Sequence, residues 1–401
     1  MKLFKIPLLI STALLLTTSL YAKGDLQKEP TKTVPEFESL WQKAYGGGDR
    51  DRAFGVVALK DGGAMVAGLS RSYGKGRSDM LIVKLDKTGK TIWRSSYGGK
   101  KKDYAKAITR TSDGNFVAVG SSESFSEGGD LDVYVVKFDT EGKRAWQKNF
   151  GGDEKDEAKA VVAVNDGGVL VAGYTESYGK GRRDVYILYI DKNGKEIWSK
   201  AIGGKDEDDA YAITLTADGG FVVAGSTESY GKGRSDFYIL KFDGKGKFLW
   251  DKVYGEDNED VIHAITATPE GGFVVAGKTG SFGSKHSDID IIKYDKEGDQ
   301  VWHRIYGFKS KEWANAIIRI PGGGYLLSGT TKSFGFGKFD FYLLELDSEG
   351  HSVWANVYGG ENKEVAHGMA RMSDGKILVV GETESFGNGG YDFFMLNLEK
   401  R

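Results

Sequence analysis

Tryptophan recurs along this chain at an almost constant interval. Trp41, Trp93, Trp146, Trp198, Trp250, Trp302 and Trp354 are separated by 52 or 53 residues, and only Trp313 falls outside the series. Self-similarity at a fixed period decides architecture before any local propensity does, because each copy is one supersecondary unit. A chain of 401 residues is too long for one ordinary hydrophobic core. Repeats remove the difficulty, since each unit buries its faces against its neighbours.

The copy that follows Trp198 contains four strand-like runs, "DAYAITLT", "FVVAGST", "FYILKFD" and "FLWDKVYG". They are separated by "ADGG", "ESYGKGRSD" and "GKGK". β-branched and aromatic residues between turn-forming breaks predict a four-stranded antiparallel sheet. The 58 glycines and 5 prolines suit many short strands and tight turns, not helical repeats. Seven such units predict an all-β fold, a closed seven-bladed β-propeller with four antiparallel strands per blade. The chain ends predict closure, not an open solenoid. The last unit stops at its third strand, "YDFFMLNLEKR", and the first begins with an orphan fourth strand, "FESLWQKAYG". The N-terminal strand is therefore expected to complete the last blade and remove two sticky sheet edges. The propeller is expected to occupy 37–401, after a polar leader over 23–36.

The opening "MKLFKIPLLISTALLLTTSLYA" reads as a signal peptide over 1–22: Lys2 and Lys5, an apolar stretch, then a small residue at the cleavage site. It predicts an exported protein of the periplasm or the extracellular space, with no transmembrane segment after cleavage. The chain has no Cys, so disulfides and thiolate chemistry are excluded. Removing 1–22 takes the formal net charge from -2 to -4. That balance predicts no nucleic-acid partner, which would demand a strong basic excess.

The third-to-fourth connections "LDKTGKTIW", "FDTEGKRAW", "IDKNGKEIW" and "YDKEGDQVW" resemble the tryptophan motif of quinoprotein-like (PQQ-like) propellers. The unit as a whole is similar to a repeat of exported bacterial propeller proteins. The resemblance covers roughly 37–401 and implies the fold. The sequence departs from the enzymatic quinoproteins in three respects: seven units where their alcohol dehydrogenases have eight blades, no vicinal Cys pair, and an Asp-to-Trp spacing one residue shorter. No cofactor is expected.

The repeats also act as an internal alignment. "SYGKGRSD" stands at 72–79 and 229–236, and "SYGKGRRD" at 177–184. Glycines alternating with Lys and Arg suggest a phosphate cradle, but a P-loop runs into a helix and ends in Gly-Lys-Ser/Thr. Across the seven copies a Ser, an aromatic and a final Asp persist while the cations come and go. The frame is therefore structural. The decoration, Lys75, Arg77, Lys180, Arg182, Arg183, Lys232 and Arg234, is a candidate basic loop face for an acidic glycan or an acidic protein patch. A second series opens the first strand of each unit: Asp51, Asp103, Asp156, Asp208, Asp260, Glu312 and Glu364. These are weak candidates for a cation-holding ring, against the alternative that each caps its own loop. A third set varies where its surroundings do not: Phe54, Lys106, Lys159, Tyr211, His263, Asn315 and His367, with Tyr104 and Trp313 two residues before their strand's member. If the first strand lines the axis, this set forms an asymmetric funnel. No catalytic constellation is legible. The chain reads as an exported, non-catalytic scaffold that binds a protein or surface glycan at the cell envelope through its long-loop face. The alternatives are a periplasmic small-ligand or metal-binding propeller using the funnel, and a divergent quinoprotein or carbohydrate-active enzyme.

Overall fold

The computed structural model describes residues 25–26 and 37–400. The expected signal peptide over 1–22 and all of the expected leader except Asp25–Leu26 lie outside the described residues. Among the described residues no helix is long and apolar enough to cross a membrane.

Seven four-stranded antiparallel blades form a ring. In the first blade the strands run, from the axis outwards, Asp51–Ala58, Ala64–Ser70, Asp79–Leu85 and Thr91–Tyr97. The inner strands of the other six begin at Asp103, Asp156, Asp208, Asp260, Glu312 and Glu364. The seventh blade takes three strands from the C-terminal end of the chain and its outer strand, Phe37–Tyr45, from the beginning. That strand pairs antiparallel with Asp392–Lys400, Phe37 opposite Lys400 and Tyr45 opposite Phe393. The ring thus closes as the orphan strand predicted. Asp25–Leu26 pairs in parallel with Arg304–Ile305 on the outer strand of the fifth blade.

The second and third strands of each blade are almost wholly buried, because both their faces meet a neighbouring blade. Between the second and third blades, Val117, Val119, Val133 and Val135 pack against Val169, Val171, Tyr186 and Leu188. Buried second and third strands therefore read as continuous apolar runs, and the half-exposed outer strands alternate.

The periodic tryptophans hold the rim. Six of the seven lie against the third-to-fourth turn of the next blade, where a glycine with positive φ leaves room for the ring. A Cβ on Gly246 (φ 80°) would stand 2.5 Å from Trp198, and one on Gly89 would stand 2.7 Å from Trp41. The indole N–H of Trp93 donates to the carbonyl of Thr140 at 3.2 Å, and that of Trp146 to Lys192 at 3.1 Å. Trp41 belongs to the N-terminal strand, so its contact carries the lacing across the closure. At the other side of that blade Phe37 packs on Trp354 with ring centroids 5.2 Å apart.

Gly246→Ala is expected to destabilise the fold by about 2 kcal/mol, from overpacking added to backbone strain. Gly219 has φ 80°, and a methyl group added there would meet nothing within 4 Å. Gly219→Ala should therefore show the strain alone, about 1 kcal/mol. Calorimetric melting of both variants checks this; equal losses would show that the tryptophan contact contributes nothing.

Candidate functional site on the long-loop face

The loops that join second to third strands and the loops that join blades emerge on one face. One hydrogen-bonded frame fixes all seven junctions. The acidic residue that opens each inner strand is at most 1% exposed. Asp208 accepts from the backbone N–H of Gly204 at 2.7 Å and from the Ser229 hydroxyl at 2.7 Å. Asp260 accepts from the hydroxyls of Thr279 at 2.5 Å and Ser281 at 2.6 Å. Glu364 accepts from Gly360 N–H at 2.7 Å and Thr383 at 2.8 Å. Asp51, Asp103, Asp156 and Glu312 are held in the same manner. The loop serine closes the frame, its oxygen accepting a backbone N–H of the interblade loop in every junction, as in Asp49 to Ser72 at 3.1 Å and Ser310 to Ser333 at 2.8 Å. The seven carboxylates are thus distributed one to a junction. Among the described residues no group of three or more His, Asp or Glu side chains is placed to hold a metal ion.

The glycine-rich loop is an anion cradle filled by its own aspartate. In "SYGKGRSD" the backbone N–H groups of Lys75 and Gly76 both donate to Asp79 Oδ2 at 2.9 Å. Lys180 and Gly181 do the same to Asp184, both at 2.9 Å, and Lys232 and Gly233 to Asp236 at 2.8 and 3.1 Å. Gly74, Gly179 and Gly231 have φ of 128°, 105° and 95°, which the bend requires. Consecutive N–H groups of this kind attract anions generally; here the anion is intramolecular. The loop tyrosines tie the face down further, Tyr178 donating to the carbonyl of Gly151 at 2.6 Å and Tyr230 to that of Gly203 at 3.0 Å.

The predicted basic residues divide. Lys75, Arg77, Lys180 and Arg234 are exposed. Arg182 lies 3.4 Å from Asp206 and Lys232 lies 3.2 Å from Glu256, exposed pairs that contribute little to stability. Arg183 is placed differently. It leans over the next blade, within 3.2 to 3.5 Å of Glu176, Glu207 and Asp209 and 4.4 Å from the Tyr174 ring.

The varied set takes one residue from each inner strand of the ring, at a local irregularity the sequence pattern did not reveal. Every inner strand carries a β-bulge, and the bulged residue is Phe54, Lys106, Lys159, Tyr211, His263, Asn315 or His367. A bulge frees its residue from the ladder and re-aims the side chain. Phe54 packs on His367 with centroids 4.8 Å apart, Lys106 Nζ sits 4.0 Å from the Phe54 ring, and Tyr211 meets His263 edge-on at 5.7 Å. His263 Nδ1 lies 3.0 Å from the Ala314 carbonyl, and Asn315 donates to the Ala366 carbonyl at 2.7 Å. Trp313 is drawn to Phe339 at the mouth, 5.4 Å between centroids.

The funnel is electrostatically lopsided. Between the first and second blades a pocket of about 230 Å³ is bounded by Arg50, Arg52, Arg71 and Lys106, with Phe54 and Tyr104 among its walls. Arg52 pairs with Glu382 at 3.0 Å. No ion pair within 4.0 Å reaches Arg50, Arg71 or Lys106 among the described residues. Burial, with Lys159 and Arg52 adding repulsion, brings Lys106 down to about 8. Glu157, Glu207 and Asp209 follow at the inner strands of the third and fourth blades. Burial pushes Glu157 up, but Lys159, 2.6 Å away, and Lys106 outweigh it and hold the carboxyl below its usual range. Burial lowers His263 to about 4, so it is neutral near pH 7.

Comparison with known proteins agrees with this geometry. Residues 131–316 match the family model described as outer membrane protein assembly factor BamB, a PQQ-type propeller. The chain is thus similar to PQQ-like β-propeller repeat proteins. Residues 373–398 of this propeller also match a β-propeller domain of unknown function. The regulatory protein FlaEY of Caulobacter vibrioides is 25% identical over 341 residues, covering 77% of this chain. The chain spans about a third of that relative's length. Among solved structures, the WD40 propeller domain of Doa1 superposes with a TM-score of 0.57 at 12% identity, covering 91% of this propeller and 98% of that chain. A protein of unknown function from Dyadobacter fermentans does so at 0.50 and 16%, covering 92% and 100%. These likenesses show the fold.

Two buried groups set opposite pH dependences. Burial raises Asp132 to about 6, so the folded state binds its proton more tightly than the unfolded chain, and stability falls as pH rises through 6. Asp132→Asn is expected to raise the melting temperature at pH 7.5, with the gain shrinking below pH 6. His263 works the other way: its stability contribution is present above its unfolded value of 6.5 and lost as pH falls towards 4. His263→Asn should flatten the loss between those values. Thermal melts from pH 4 to 8 check both; parallel profiles for variants and parent would refute the assignment.

Proposed function

We propose that this propeller is an exported, non-catalytic scaffold that recognises a partner protein through its long-loop face. The observation that carries the reading is the division of labour within the loops. Backbone donors and the Ser, Asp and Gly of the frame are satisfied internally, while large side chains, the hydrogen-bonded Tyr178 and Tyr230 included, keep exposed surface beyond it. Phe336 is 88% exposed, Tyr178 45% and Tyr230 43%, beside Lys75, Arg77, Lys180 and Arg234. Exposing aromatics on rigid loops is unfavourable alone, and aromatic and arginine side chains supply most hot spots in protein interfaces. The frame lowers the ordering cost of such contacts, because the loops are already fixed. A family named for outer-membrane assembly and a distant relative named as regulatory support a binding role over a chemical one. The N-terminal basic-then-apolar segment and the same family name support export.

A second reading rests on the axial pocket. Four cations around one cleft, with Glu382 as the counter-charge, favour a small anionic ligand in the funnel.

A photo-crosslinking residue at Phe336 or Lys180 is expected to capture a discrete partner in the native cell envelope. Tyr178→Ala with Tyr230→Ala should remove that species without lowering the melting temperature by more than a few degrees. The same probe at Lys87, on a third-to-fourth turn of the opposite face, should capture nothing. Equal capture from both faces, or none from either, would refute the reading.

A further inference from the structure

A groove of about 700 Å³ opens between the second and third blades, beside the long-loop face and outside the funnel. A small residue at a variable position and two local departures from the repeat shape it. At the junction of the seventh and first blades, the residue after the outer-strand tryptophan is Arg94, whose guanidinium lies 3.9 Å from the Tyr73 ring, and the cleft there measures about 230 Å³. The third blade has Ser199 at that position, so the groove stays open. Tyr97 and Tyr306 each reach the carbonyl of the next blade's turn glycine at 2.6 Å. The second blade has Phe150 there and lacks the hydroxyl strut. Its loop is also one residue longer than its counterparts, with Ser126 where they bend at glycine. Asp132 consequently receives no backbone N–H of the kind that fills Asp79 and Asp184. It is 6% exposed, and its Oδ1, like those of Asp236, Asp340 and Asp392 at the same repeat position, is buried with no hydrogen-bond partner among the described residues.

Aromatic and acidic residues share the lining. Phe125, Phe150, Tyr178 and Tyr186 supply rings, the last two with centroids 5.8 Å apart. Glu127, Asp132, Asp153 and Glu196 supply carboxylates, and none has an ion-pair partner within 4.0 Å among the described residues. The one lining cation, Lys200, holds its ammonium 5.5 Å from the Trp198 ring. Rings and unpaired carboxylates together recognise organic cations, through cation–π attraction and charge pairing in a partly dry site. A neutral sugar would gain from the rings but would leave the carboxylates facing one another.

We propose that this groove receives an arginine or lysine side chain carried on an extended segment of a partner polypeptide. The inference deepens the scaffold reading and rests on it: Phe125 and Tyr178 belong to the same loops, so the groove continues the proposed binding face. The volume accommodates several side chains, so flanking residues of the segment can lie along the aromatic wall. The recognised feature is the positive group.

Calorimetric titration with acetyl-Gly-Arg-Gly-Arg-Gly-amide, and with the same peptide carrying Gln for Arg, tests the proposal at low salt on the full chain. The arginine peptide is expected to bind at least about tenfold more tightly than the glutamine peptide. Glu196→Gln should weaken it severalfold. Ser199→Arg, which places in the groove the residue that fills the first junction, should abolish it with the melting temperature unchanged. If that variant misfolds, Glu196→Gln carries the test alone. Equal binding of the glutamine peptide, unchanged binding by a folded Ser199→Arg variant, or no saturable binding at millimolar peptide would overturn the proposal. Tighter binding of spermidine than of the arginine peptide would overturn the polypeptide source. Failure here with the Phe336 crosslink intact leaves the scaffold reading standing; loss of the crosslink with peptide binding intact does the reverse.

Discussion

The buried carboxylate at each blade junction governs the architecture of the loop face. A carboxylate taken out of water must be met by donors, because an unpaired buried charge is too costly to keep. Here the donors are a glycine N–H of the interblade loop and hydroxyls of the second strand and the long loop, as at Asp103. One side chain thereby fixes three segments: the start of an inner strand, the loop that delivers it and the loop of the same blade that passes over it. The frame recurs seven times with the same serine in place. Rigid loops on one face follow from it, and so does the freedom of the remaining loop residues to vary.

Much of the fold was legible in the sequence. The tryptophan period gave the unit, the turn chemistry gave four strands, and the orphan strand at 37–45 gave closure. These are local patterns repeated often enough to cancel accidental substitutions. What tryptophan does was only partly legible. Interblade packing was expected, but the partner, a positive-φ glycine in the next blade's turn, lies about a repeat away and follows no short-range rule.

The candidate site was less legible. The variable positions around the axis stood out by comparison of the copies, yet nothing in the composition marks a bulge at Lys106 or His263. A bulge is set by how the inner strand meets its neighbour, a tertiary effect. Arg183 could not be told from Arg182 by spacing, although one folds over Glu207 and Asp209 and the other stays in solvent. The groove at Ser199 was invisible because it arises from a small residue where Arg94 stands in the first blade. The phosphate-cradle look of "SYGKGRSD" has a physical origin: the loop does present N–H groups to an anion, and that anion is its own Asp79, Asp184 or Asp236.

The central claim is that the backbone donors of these loops are occupied within the blade, so recognition falls to the side chains. Amide hydrogen exchange resolved to single residues tests it most directly. The amides of Lys75, Gly76, Lys180, Gly181, Lys232 and Gly233 are expected to exchange slowly despite their exposed positions, and inorganic phosphate should leave their rates unchanged. Fast exchange at these amides, or added protection by phosphate, would contradict the account.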